Sequence, residues 1–104
     1  MILYRGFIVM NTEAVEQIVL EVLRRRMPEV TFTAVIAERD VDSDGQDVMK
    51  IAVVFEAASD LDASKVAGLI RHMRPAMNEQ GETSFPIVSF ISKKEAQKAG
   101  LAAA

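Results

Sequence analysis

The chain predicts an α+β domain built as a two-layer sandwich, with amphipathic helices covering one face of a small sheet. Three observations predict it. Apolar residues recur at helical spacing in two long segments, 12–27 and 60–77. Runs of β-branched, aromatic or alternating residues occupy 30–39, 48–57 and 84–91. With 104 residues, 50% of them hydrophobic and 26% charged, the chain is large and apolar enough for one domain with one core.

Residues 1–9 have two readings. Ile2, Leu3 and the run Phe7 to Met10 are apolar enough for a strand, but Asn11-Thr12-Glu13 signals a helix start directly after Met10. Met1 to Val9 is therefore either an extra strand or an upstream extension of a product that begins at Met10. The first helix is predicted from Thr12 to Met27, with Val15, Ile18, Val19, Val22 and Leu23 as its apolar stripe. Glu13 and Glu16 suit its positive N-terminal end and Arg24, Arg25 and Arg26 its negative C-terminal end. Pro28 stops it, because the residue before a proline avoids the helical region.

Val30 to Arg39 is the next strand, rich in residues that fit a pleated surface. An acidic loop, Asp40 to Asp47, follows. Val48 to Ala57 alternates strictly, with Met49, Ile51, Val53 and Phe55 on one face and Lys50, Ala52, Val54 and Glu56 on the other. The second helix begins at Ser59 or Asp60 and carries Val66, Leu69, Ile70, Met73 and Met77 on its apolar side. Pro75 interrupts that pattern and predicts a kink or break near Arg74. Gln80 to Thr83 is a loop. Ser84 to Ile91 is a strand that Pro86 pushes toward a sheet edge or a strand start. Ser92-Lys93-Lys94-Glu95 is a capping box for a short last helix, and Ala102 to Ala104 is a fraying tail.

The resulting order, α-β-β-α-β-α, resembles that of type II KH domains and of ribosome-binding factor A. With residues 1–9 as a strand it becomes β-α-β-β-α-β and resembles the ferredoxin-like fold. The likeness is one of element order alone, and no Gly-x-x-Gly, the backbone clamp of KH domains, occurs in the chain.

Composition excludes several classes of function. There is no cysteine, hence no disulfide framework, no thiol chemistry and no cysteine-based zinc site, which fits a reducing cytoplasm. No apolar run approaches the roughly 20 residues of a membrane span, and Arg5 interrupts the apolar N-terminal stretch. The net charge of −3 gives no general attraction to nucleic acid or anionic lipid.

One stretch looks like a chemical motif. Asp40-Val41-Asp42-Ser43-Asp44-Gly45 places carboxylates at alternate positions ahead of a glycine, like the front half of a calcium loop, with Asp40, Asp42 and Asp44 as oxygen ligands. The twelfth position, where a bidentate glutamate belongs, is Ile51, and the flanks read as strands. The competing reading, an Asp-Gly hairpin turn with a wet tip, is the stronger. Arg24, Arg25, Arg26, Arg71 and Arg74 are candidates for anion or RNA contact, against the plainer reading that they complement helix dipoles. If the second helix runs back antiparallel over the sheet, Arg71 and Arg74 reach the hairpin end near Asp42 and Asp44. His72 is the sole histidine and has no evident acid–base partner. Glu38 and Glu56 form a conceivable carboxylate pair across two strands.

The sequence thus predicts a small cytoplasmic, non-catalytic interaction module or accessory subunit, with no cofactor unless the loop takes calcium. It would self-associate or bind a protein partner through a sheet edge or the uncovered sheet face, to which Ala52, Val54, Val35 and Ala37 are assigned. An RNA- or ribosome-associated module is the alternative, and weak calcium binding at Asp40–Asp47 a further one.

Overall fold

A computed structural model describes residues 2–4, 7–9, 11–56 and 63–100. The expected helix start at Ser59 or Asp60, the start site at Met10 and the alanine tail lie outside the described residues. Two short strands, β1 (Ile2–Tyr4) and β2 (Phe7–Val9), pair antiparallel as a separate two-stranded sheet. They are followed by α1 (Thr12–Arg26), β3 (Phe32–Val41), β4 (Asp47–Phe55), α2 (Ala63–Ala67), α3 (Leu69–Glu79), β5 (Phe85–Ser92) and α4 (Lys93–Lys98).

The main sheet is three-stranded and mixed, in the order β3-β4-β5. β3 and β4 form an antiparallel hairpin, while β5 returns parallel to β4, with Val48 opposite Phe85 and Phe55 opposite Ser92. This corrects the ferredoxin-like alternative. That fold splits its βαβ units by placing another strand between the parallel pair. Here β4 and β5 pair directly, and Ile2–Tyr4 and Phe7–Val9 pair with each other in a separate sheet instead of supplying a central strand.

α1 begins where its cap dictates. Asn11 holds an extended conformation and its Oδ1 accepts the Ala14 N–H at 2.8 Å. Met27 closes the far end by donating its N–H to the Leu23 carbonyl, and Pro28 follows. Val15, Val19, Val22 and Leu23 pack with Leu69, Met73 and Met77 of α3 onto Met49, Ile51 and Val53 of β4. Both helices therefore cover one face of the sheet, and the core lies between the layers.

The break in the second helical segment is not at Pro75. α3 runs through Pro75, which is exposed, so the carbonyl it leaves unbonded can be solvated. The interruption falls at Gly68, where α1 approaches: a Cβ there would lie 3.0 Å from the Arg26 Nη2. At the other end of the chain the capping box forms as expected, with Ser92 accepting the Glu95 N–H at 3.2 Å.

Candidate interaction surface

β4 sends Met49, Ile51 and Val53 into the core and Lys50, Ala52 and Val54 to the opposite face. β3 does not keep simple alternation beside it. A bulge shifts the register between Phe32 and Ala34, so Phe32 and Val35 share the helix-covered face. This corrects the expected assignment of Val35 and Ala37 to the open face. Ala37 is buried in the core and Val35 packs against it, while Ile36 takes their place outside. Val54 is also not open: it is fully buried, at the end of the sheet where α4 packs and Ala96 is buried.

What remains uncovered is a shallow apolar depression of about 330 Å³ lined by Ile36, Ala52, Ile87 and Ile91, with Ser89 among them. Ile87 is 44% exposed and Phe85, at the strand start, 46%. Glu38 and Lys50, directly opposite one another in the β3–β4 register, stand at its hairpin end. Both come from the β3–β4 hairpin, while the isoleucines of β5 extend the apolar strip toward the sheet edge. The β3 edge is less inviting. Glu16 of α1 accepts the Ala37 N–H at 2.8 Å and Asp40 accepts the Val41 N–H at 2.7 Å, so carboxylates occupy donors a new strand would need.

The acidic loop folds as a turn. Asp42 Oδ1 accepts both the Asp44 and the Gln46 N–H at 2.9 Å, Asp42 and Gly45 add two backbone bonds, and Gly45 takes φ +79°. Asp40 pairs with Lys50 at 2.7 Å, and that bond, with the Val41 N–H, holds its carboxyl below the usual range. The same pairing raises the Lys50 ammonium. In this conformation Asp40, Asp42 and Asp44 do not converge, and among the described residues no three acidic or histidine side chains are grouped to hold a metal.

Of the two arginines expected at the hairpin end, Arg74 is placed near it. Arg74 stacks over the Phe85 ring at 5.0 Å, which brings the C-terminal half of α3 to this end of the sheet. Its basic groups do not meet Asp42 and Asp44. Instead Arg39 forks onto Glu82 at 2.6 and 3.0 Å, and Ser84 Oγ donates to the same carboxylate at 2.5 Å. Burial of Glu82 pushes its pKa up, but the Arg39 and Ser84 bonds outweigh it and hold the carboxyl below the ordinary range. Sequence reasoning missed this clamp, since nothing in the letters marks a loop glutamate as 5% exposed.

The arginine triplet separates as consecutive helical residues must. Arg24 is exposed, whereas Arg25 and Arg26 line a notch of about 120 Å³ between α1 and α3, together with Glu21 and His72. Arg71 is exposed and is not among the residues lining that notch. Glu38 and Glu56 do not face each other: Glu38 is opposite Lys50, and Glu56 lies past the end of β4, 4.0 Å from Lys93.

No family model, no curated protein and no solved structure matches the chain. No helix among the described residues is long and apolar enough to cross a membrane.

Proposed function

We propose that the protein is a non-catalytic interaction module, or an accessory subunit, that works through the open sheet face, and that the first occupant of that face is a second copy of the same chain. The observation that carries this reading is the uncovered strip of Ile36, Ala52, Ile87 and Ile91 opposite a fully formed core. A contiguous apolar patch on a small sheet favours a partner over water. The charges at its rim supply the choice of occupant. In a two-fold symmetric contact each residue meets its counterpart's neighbours, so Glu38 of one copy can face Lys50 of the other, twice. Carboxylates already occupy donors on the β3 edge, which favours sheet-on-sheet stacking over edge pairing there.

The experiment is charge reversal read by analytical ultracentrifugation. Glu38→Lys should turn the dimer into monomer at micromolar concentration, because two lysines then face each other across the contact. The double variant Glu38→Lys, Lys50→Glu should restore it. Restoration fails if the partner is a different protein, and a wild-type chain that stays monomeric at high micromolar concentration removes self-association altogether.

The RNA-binding alternative draws support from the α-β-β-α-α-β-α order of the main body, in which α2 and α3 stand where one helix was expected, and from the basic residues at the end of α1. Among the described residues, Phe32, Phe55 and Phe90 pack in or against the core, and the exposed Phe85 sits beside Arg74 of α3 and not beside the α1 arginines. RNA binding that falls steeply with salt, and weakens in Arg25→Ala, would favour it over the interaction module.

A further inference from the structure

Arg26 is the one side chain of the triplet that is drawn partly into the fold, and it is left with a problem. Its Nε is buried and has no hydrogen-bond partner. A buried guanidinium N–H without an acceptor is uncommon and calls for a ligand, a water or an ion to complete it. The surrounding geometry supplies the room. The notch between α1 and α3 has a volume of about 120 Å³. That is on the order of four times the ~30 Å³ share of a liquid water, enough for a tetrahedral oxyanion. Two guanidinium groups, Arg25 and Arg26, line it with the His72 imidazole; the single opposing carboxylate is Glu21, four residues before Arg25 on the same helix. That spacing lets Glu21 compensate Arg25, and leaves Arg26 as the guanidinium of the notch with an N–H that has no acceptor.

We propose that this notch is an anion site for a phosphoryl group, with Arg26 as its principal donor and Arg25 and His72 as flanking contacts. The guanidinium is held in place by close packing. Its Nη2 lies where a Cβ on Gly68 would come within 3.0 Å, so the glycine at the α2–α3 break is the space into which Arg26 folds. Planar guanidinium donors suit phosphate oxygens in a way a lysine ammonium does not. The site lies on the helix layer and does not depend on the dimer proposed for the open face of the sheet.

The test is a titration of the ¹⁵N-labelled full chain with inorganic phosphate, against sodium chloride at matched ionic strength, followed by amide shifts. Saturable shifts confined to the end of α1 and to residues around His72 are expected with phosphate and not with chloride. Arg26→Met keeps the aliphatic stem and should weaken the response by roughly tenfold or more. Gly68→Ala, which pushes the guanidinium aside without touching any donor, should weaken it as well. Arg71→Ala, outside the notch, should leave it unchanged. A single-stranded RNA oligonucleotide separates the sources of the phosphoryl group. If it moves the same amides and is displaced by phosphate, the ligand is a nucleic-acid backbone. If it leaves them unmoved, the ligand is a free phosphate or phosphomonoester. Shifts that chloride reproduces, or a phosphate response equal in wild type, Arg26→Met and Gly68→Ala, overturn the proposal.

Discussion

The two faces of the main sheet are built from the same strands and much the same side chains, and they differ in what covers them. On one face Met49, Ile51, Val53, Val35 and Ala37 lie under α1 and α3. On the other, no helix among the described residues is packed over Ile36, Ala52, Ile87 and Ile91, and α4 packs near the Val54 end. A β-branched residue therefore carries no label for core or contact. What decides is which layer the connections can deliver, and this chain's longer helices both fall on one side. Equal truncations on the two faces must therefore have very different effects on the stability of the single chain.

The largest effect is expected from the covered face. Ile51→Ala should destabilise by about 2–5 kcal/mol, since it removes buried methyl groups and leaves a cavity between rigid neighbours. Urea denaturation followed by circular dichroism measures it, and a loss below about 1 kcal/mol would mean that the helix layer packs loosely on the sheet. Next comes the clamp that holds the segment before β5 to β3. Arg39→Met leaves the Glu82 carboxylate buried with only Ser84, and should cost about 2–3 kcal/mol. Glu82→Gln leaves a partly exposed arginine instead, and should cost about 1 kcal/mol. Acid separates the two variants further. In the wild type the depressed pKa of Glu82 contributes stability that is present above the ordinary glutamate value of about 4.3 and is lost as pH falls through the lower folded-state value. In Arg39→Met burial still raises that pKa and only the Ser84 bonds lower it, so the variant should lose less of its stability on acidification than the wild type does. Denaturation midpoints between about pH 3 and pH 7 test this difference.

The periodic parts of this architecture were legible in the sequence. The α1 stripe, the alternation of β4, the Asp-Gly turn and the Ser92 cap each rest on local chemistry that acts within four residues. The open face was legible in kind but not in membership. One extra residue in β3, between Phe32 and Ala34, exchanged Ile36 for Val35 and Ala37. A bulge is set by the pairing with β4 and leaves no mark on one strand read alone. The helix break behaved similarly. Pro75 is the strongest local breaker, yet the interruption falls at Gly68, where the side chain of Arg26 needs the space. Such contacts lie dozens of residues apart in sequence, and neither propensity nor periodicity reaches them. The Arg39–Glu82 pair and the notch around Arg26 belong to the same category.

A smaller effect is expected at the hairpin tip. Asp42→Ala removes the acceptor for two backbone N–H groups at the rim of the structure, where water can replace it, and should cost about 1 kcal/mol. The carboxylate is already engaged in the turn, so this loss should be the same with and without millimolar calcium. A calcium-dependent rise in melting temperature that vanishes in Asp42→Ala would mean that the loop can rearrange around a cation, and would revive the calcium reading of Asp40, Asp42 and Asp44.

The smallest effect on the isolated chain, and the one that bears most on function, is expected on the open face. Ile87 is 44% exposed, so Ile87→Ser removes little that folding itself had buried, and at nanomolar concentration its stability should lie within about 0.5 kcal/mol of the wild type. At high micromolar concentration the two should diverge. A dimer that hides this face adds stability by mass action, so the wild-type melting temperature should climb with concentration and that of Ile87→Ser should not. The concentration series also discriminates between outcomes. If both proteins show flat curves, the strip is a tolerated apolar surface. If Ile87→Ser is destabilised even when dilute, the depression is an outlying part of the core and the contrast between the two faces is weaker than the exposure of Ile87 implies.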